Sequence, residues 1–398
     1  MTMDYRGFQE LYSARIRQLM AGTLPALLFC IFIEFIAGGI LGAYFEKLME
    51  SYRIVLVIIP GLMGLRGNIF GSMASRLTTM LHIGIMEPRI SDKEVQKNIL
   101  LSLWLSLIPV FILWAVGVLK VGDVWSGMYI LFIIVVSTIF STLIMGYSTA
   151  ISTVIPYLRG LDPDRVAAPI ITSVGDLITL PFLILFILIF EHYFSVFVLL
   201  SVVSVVVFAV LAFKIKLGSD DIRTFKEVLA ILGITSLIAS VSGGFFEHYS
   251  DLIHASVLFS ILYPAIAGTT GNFGAIVGAA TSTRIHVGDI EGIVDRETLA
   301  DIVIYLFTGF LISLVMNFAG IIIAKYFLGK NAGIVPEFII FYPLLLLTAM
   351  IVAYYIARFF GKLGFDPDNA TVPMITTISD LMSVIFVIFV SGVIVGSF

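Results

Sequence analysis

Eleven long apolar runs divide this chain, at about 22–44, 54–80, 99–121, 127–157, 167–190, 193–215, 229–248, 255–285, 300–327, 337–358 and 370–396. A helix crossing a hydrocarbon layer ~30 Å thick needs roughly 20 apolar residues, and each run is of that order. The pattern predicts an all-α polytopic membrane protein with about eleven transmembrane helices. The runs are not uniformly apolar. The fifth and eleventh each carry one aspartate, and the second and eighth are broken by proline and several glycines.

Composition supports the class. Of the 398 residues, 59% are hydrophobic and 13% charged, and the mean hydropathy is +1.08, far above an ordinary soluble domain. The net charge of −4 with no basic block argues against nucleic acid as a partner. The single cysteine, Cys30, offers neither a disulfide framework nor a thiolate metal site. Residues 1–21, with Arg6, Arg15 and Arg17 among Leu, Ile and acidic residues, read as a cytoplasmic amphipathic segment and not as a signal peptide. With that end cytoplasmic, the cytoplasmic segments hold sixteen Lys and Arg against five on the other side, Lys47, Arg53, Lys120, Lys325 and Lys330. The positive-inside rule therefore puts the N-terminus inside and the C-terminus outside, in a multi-pass protein expected in the plasma membrane.

The chain repeats itself. VAAPIITSVGDLIT from Val166 returns as ATVPMITTISDLMS from Ala370, and Pro60, Gly67, Asn68, His82 and Asp176 match Pro264, Gly271, Asn272, His286 and Asp380 at a constant offset of 204. In the first run the offset is 201, where Phe45-Glu46 matches Phe246-Glu247. Five spans per unit would leave directly fused copies inverted, and the unmatched sixth span restores a parallel relation. The expected organisation is a segment 1–21, a first repeat 22–191, a linker helix and loop 192–226, and a second repeat 227–398. Two parallel five-helix repeats would then be related by a pseudo-two-fold along the membrane normal, as in some transporters.

Such an axis brings Asp176 and Asp380 face to face. Carboxylates at membrane depth are costly and mark function by default. Each lies on a polar stripe at helical spacing, Thr172, Ser173, Asp176 and Thr179 in one copy and Thr376, Thr377, Asp380 and Ser383 in the other. The plain alternative is that these residues only bond neighbouring backbone. Two acids brought together repel unless one is protonated or a cation intervenes. Oxygen ligands of this kind suit a hard divalent ion, Mg²⁺, Mn²⁺ or Ca²⁺, and Mg²⁺ would bind through retained waters. PGLMGLRGNIFG from Pro60 and PAIAGTTGNFGA from Pro264 are expected to kink or unwind their helices and to offer Asn68 and Asn272 to the site. Close helix packing through small residues is the competing reading.

The run PGLMGLRGNIFGSMASRLTTMLHIG resembles the signature of the MgtE-type magnesium transporter domain, in the two-copy form of solute carrier family 41. The later DP…P…TT…D segments are similar to the fifth helix of that domain. The resemblance implies a pore between the two units, with hydrated Mg²⁺ held at Asp176 and Asp380 and supported by Thr172 and Thr376. The second copy departs from the pattern, reading GAATSTRIH where the first has ASRLTTMLH. Residues 1–21 are not expected to form a gating or nucleotide-sensing module, so the resemblance implies the ion site and not that form of regulation.

Further residues have structural readings. Glu34 and Arg66 are matched in the second copy by Thr235 and Thr270, a pattern that fits a buried ion pair or a role in coupling-ion movement. His82 and His286 suit interfacial hydrogen bonding, the Asp162-Pro163-Asp164 and Asp366-Pro367-Asp368 turns suit helix entry, and Asp220-Asp221 suits a solvated turn. The expected function is divalent-cation transport, as a channel or a Na⁺-coupled exchanger. It needs no prosthetic group and no enzymatic step, in a monomeric pseudo-dimer embedded in the bilayer. The alternative is an intramembrane aspartyl protease using the same two aspartates, for which Ser173-Val174-Gly175-Asp176 is only a partial match.

Overall fold

The computed structural model describes residues 5–159, 163–287, 296–362 and 367–396. The two Asp-Pro-Asp turns and residues 1–4 fall wholly or partly outside that description, as do the side chains of Thr172, Asp220 and His286. Among the described residues the regular elements are helices: α1 (Tyr5–Ser51), α2 (Arg53–His82), α3 (Lys93–Val121), α4 (Val124–Leu158), α5 (Pro163–His192), α6 (Phe194–Lys214), α7 (Ser219–His248), the short α8 (Ser250–Ala255), α9 (Val257–Val287), α10 (Arg296–Ile322), α11 (Pro336–Lys362) and α12 (Pro367–Val395). A π-helical turn, Ile323–Phe327, extends α10.

Each of the eleven expected spans is part of a long helix. Ten helices among the described residues are long and apolar enough to cross a membrane. These bear out a polytopic all-α membrane protein; α9, 31 residues long, is not among the ten on composition alone. Its Thr269-Thr270-Gly271-Asn272 stretch and its other small residues lower its hydropathy, as expected of a helix enclosed by protein rather than lipid. Residues 259–267 of α9 are almost completely buried. The opposite case is α6, whose Val, Leu and Phe residues are mostly exposed and face outward as a lipid-contacting helix; only Phe197 and Ser204 are buried on it.

Local signals set the joints. Between α3 and α4 the chain turns in two residues: Gly122 takes φ +78°, which a side chain would disfavour, and Asp123 then accepts from the Ser126 N–H at 3.0 Å as N-cap. Asp92 caps α3 through the Glu94 N–H at 2.8 Å. Asp221 accepts from the Gly218 N–H at 2.7 Å at the start of α7.

The expectation that α2 and α9 unwind is corrected. Both are continuous helices with Pro60 and Pro264 inside them. In a packed membrane bundle neighbouring helices compensate the hydrogen bond that proline removes. The glycines serve close approach instead: Gly61 lies on Leu113, and Gly274 on Ile375.

The first helix of each repeat packs against the other repeat. Helix α1 lies on α5 and α9 and touches α2 little, whereas α7 lies on α2, α3 and α12. Equivalent residues form equivalent seams. Gly42 of α1 meets Ile261 of α9, and its counterpart Gly243 of α7 meets Val57 of α2, the counterpart of Ile261; a Cβ at Gly243 would overlap the Val57 carbonyl oxygen. The corresponding residues Phe45 and Phe246 touch edge to face, with ring centroids 5.7 Å apart. At the same end of the bundle, Glu247 accepts from Arg53 Nε at 3.0 Å and pairs with Lys120 at 3.0 Å. There Glu191 pairs with Lys47 and accepts from the Tyr52 hydroxyl at 3.0 Å.

Candidate cation site

Helices α1, α2, α5, α9 and α12 line a partly open cavity of about 40 Å³, room for about three waters. Asp176 of α5 and Asp380 of α12 both line it. They are 8% and 7% exposed, so each side chain is largely withdrawn from solvent. Asp380 Oδ2 has no hydrogen-bond partner. A buried carboxylate oxygen left in that condition is expensive unless a cation or water satisfies it.

Glycine makes the approach of these carboxyls possible. The equivalent Gly64 and Gly268 are both in the cavity wall. A Cβ on Gly64 would lie 2.7 Å from Asp380 Oδ2, and one on Gly268 would overlap the carboxyl of Glu34. The other equivalent pair, Gly67 and Gly271, completes the small-residue lining.

The remaining expected site residues divide into two groups. Thr376 and Asn272 line the cavity with the aspartates. Asn68, Thr377 and Ser173 stand behind it. Asn68 ties α2 to α12: its Oδ1 accepts from the Thr376 hydroxyl at 3.1 Å and its Nδ2 reaches the Thr377 hydroxyl at 3.5 Å. Ser173, fully buried, places its hydroxyl 3.5 Å from Glu34 Oε1. The Thr172 side chain lies outside the described residues. His82 is away from the cavity, edge to face with Tyr157 at 5.5 Å.

The ion pair expected between Glu34 and Arg66 is not formed. Arg66 donates to the Thr142 hydroxyl at 3.2 Å, and Thr142 donates to Ser106 at 3.2 Å. Glu34 turns the other way, into the cavity, with Ser173 and Thr269 as its hydroxyl neighbours at 3.5 and 3.4 Å. The reason is the packing of α1, which touches its own α2 little and lies on α5 and α9, so Glu34 sits between Ser173 of α5 and Thr269 of α9. Charge at membrane depth marks Glu34 in the sequence, but its partners are the Ser173 and Thr269 hydroxyls and not Arg66. Among the described residues no three His, Cys, Asp or Glu side chains stand close enough to clasp a metal ion directly. Three carboxyls around a small cavity can instead act on a cation through its waters.

A bundle of apolar helices around a buried cavity lined by carboxyl, amide and hydroxyl oxygens is the architecture of an integral membrane protein that handles cations. The sequence model of the MgtE family, described as a divalent cation transporter, matches residues 59–188 and 263–390. The chain belongs to the MgtE family of divalent cation transporters. It is 25% identical over 377 residues to solute carrier family 41 member 3 of Mus musculus, which covers 87% of this chain and 76% of the relative. Against solute carrier family 41 member 2 of Gallus gallus it is 27% identical, over 82% of this chain and 62% of the relative. A shorter match, 27% identical over 164 residues, covers 39% of this chain and 34% of the magnesium transporter MgtE of Bacillus subtilis. No solved structure matches the chain.

Proposed function

We propose that this protein carries Mg²⁺ across the plasma membrane along a path between its two repeats, with the partly hydrated ion held between Asp176 and Asp380. The observation that carries the reading is the convergence of these two repeat-equivalent carboxyls, each more than nine-tenths buried, on one small cavity with an unpartnered oxygen. A divalent cation relieves their repulsion, and Mg²⁺, reluctant to shed water, needs only one or two carboxylates. In this reading residues 22–191 and 227–398 are parallel repeats about an axis near Phe45 and Phe246, joined by 192–226, with the N-terminus cytoplasmic and the C-terminus outside. Asn68, Thr377 and Ser173 position the lining, and Thr172, Thr376 and Asn272 supply oxygen to the ion's waters.

The test is Mg²⁺ uptake into proteoliposomes by the wild type, Asp176→Asn, Asp380→Asn and the double variant. Each single change should slow uptake about tenfold or more, since it removes one charge from a site of low dielectric. Wild-type rates in both single variants would defeat the reading. Running the same assay under an opposing Na⁺ gradient separates exchange, which needs that gradient, from channel flux driven by the Mg²⁺ gradient and membrane potential alone.

A further inference from the structure

We infer that Glu34 is a third carboxylate of the cation site, making that site two-fold in its aspartates but asymmetric in its charge. The inference rests on the reading of the cavity as the place where the divalent cation binds. Glu34 lies outside the segments that match the family, 59–188 and 263–390, and its counterpart Thr235 is turned onto the Leu232 carbonyl of its own helix at 3.2 Å.

Three observations place Glu34 with the ion. It lines the same cavity as Asp176 and Asp380 while being only 1% exposed, so the space its carboxyl meets is that cavity. Gly268 leaves the volume the carboxyl occupies, and any larger residue there would expel it. Its hydroxyl neighbours, Ser173 and Thr269, are 3.5 and 3.4 Å away, well beyond the roughly 2.5–2.7 Å of a charge-assisted O–H···O bond. These are long, weak hydrogen bonds for a buried carboxylate, and Arg66, engaged with Thr142, gives it no counter-charge. Across the cavity Asp380 Oδ2, on a side chain 7% exposed, has no hydrogen-bond partner. A weakly bonded carboxyl and an unpartnered carboxyl oxygen facing one small polar space call for a cation and its waters between them. A third negative charge strengthens retention of a divalent ion more than of a monovalent one, because the attraction scales with the ion's charge.

The experiment is calorimetric titration of the full chain in lipid nanodiscs with MgCl₂, for the wild type, Glu34→Gln, Glu34→Asp, Gly268→Ala, Asp176→Asn and Asp380→Asn, with a melting curve for each without Mg²⁺. Glutamine keeps the size and hydrogen-bonding capacity of Glu34, so a purely structural role predicts wild-type affinity. The inference predicts affinity about tenfold or more weaker in Glu34→Gln, a smaller loss in Glu34→Asp, and a loss in Gly268→Ala, where the added methyl displaces the carboxyl. Unchanged affinity in Glu34→Gln beside weakened Asp380→Asn overturns the inference and leaves the aspartate site standing. Unchanged affinity in both aspartate variants overturns the cavity as the cation site, and Glu34 with it. Should Glu34→Gln fail to fold, a folded Gly268→Ala with wild-type affinity overturns the inference on its own.

Discussion

Gly64 lies so close to Asp380 that a methyl group added to it would come within 2.7 Å of the aspartate's Oδ2. The atom in the way is the end of a side chain, so the bundle can absorb the change by turning the carboxyl aside. Gly64→Ala should therefore fold, at a cost of about 1–3 kcal/mol for overpacking, while moving Asp380 off the cavity. The expected result is a melting point a few degrees lower and Mg²⁺ uptake reduced about as much as in Asp380→Asn. Alanine with full uptake would mean that the position of this carboxyl does not matter for transport.

Gly243 is a stricter case, because what it faces is the backbone oxygen of Val57. A carbonyl held in the second turn of α2 cannot rotate away without breaking the helix there. Gly243→Ala should separate α7 from α2 and destabilise the fold by about 3 kcal/mol or more, above the usual range for single substitutions. Gly233 has open space around it, and Gly233→Ala should be neutral or stabilising by up to ~1 kcal/mol through helix propensity. Thermal melts of the two variants in the same detergent decide between them. A Gly243→Ala protein as stable as wild type would disprove the close seam.

These seams also show where the sequence stops being readable. The long helices are legible because a segment exposed to lipid must be apolar along its length and satisfy its own backbone, and the 204-residue offset is enough to pair Asp176 with Asp380. What the apolar pattern does not encode is which neighbour a helix chooses. The face of α1 that carries Gly38 and Gly42 fits α9 as well as it would any helix with small or apolar residues opposite. The pairing of Glu34 with Arg66 assumed neighbours within one repeat, and the exchange of α1 and α7 undoes that assumption. Likewise, proline and glycine in α2 and α9 look like breaks in a sequence, whereas in the packed bundle Gly64 and Gly268 are contact points for carboxyls and Gly61 and Gly274 for aliphatic side chains.

The separation of Glu34 from Arg66 gives a thermodynamic expectation. Residues that share no partner change stability additively, within about 0.3–0.5 kcal/mol. A cycle of Glu34→Gln, Arg66→Met and the double variant should thus show almost no coupling. Arg66→Met by itself removes a buried cation that bonds Thr142 at 3.2 Å, and it should alter stability without weakening Mg²⁺ binding. Coupling of several kcal/mol, with the double change milder than either single one, would restore the ion pair.

Outside the spans, His254 of α8 supplies a pH dependence. Its ring stacks on Phe45 at 5.7 Å with planes 3° apart. Partial burial, assisted by the charge of Lys330 and opposed by Glu46 and Asp251, holds its pKa below the ordinary histidine value, which is about 6.5. The unfolded chain then takes up a proton at a higher pH than the folded one, so the unfolded state binds more protons between the two values. Stability from this group is fully present above about pH 6.5 and is lost as the pH falls through the depressed folded value. Melting curves from pH 7.5 down to pH 5 should show the wild type losing stability faster than His254→Gln, which cannot take up the proton. Equal slopes for the two proteins would show that the ring is not held neutral by its surroundings.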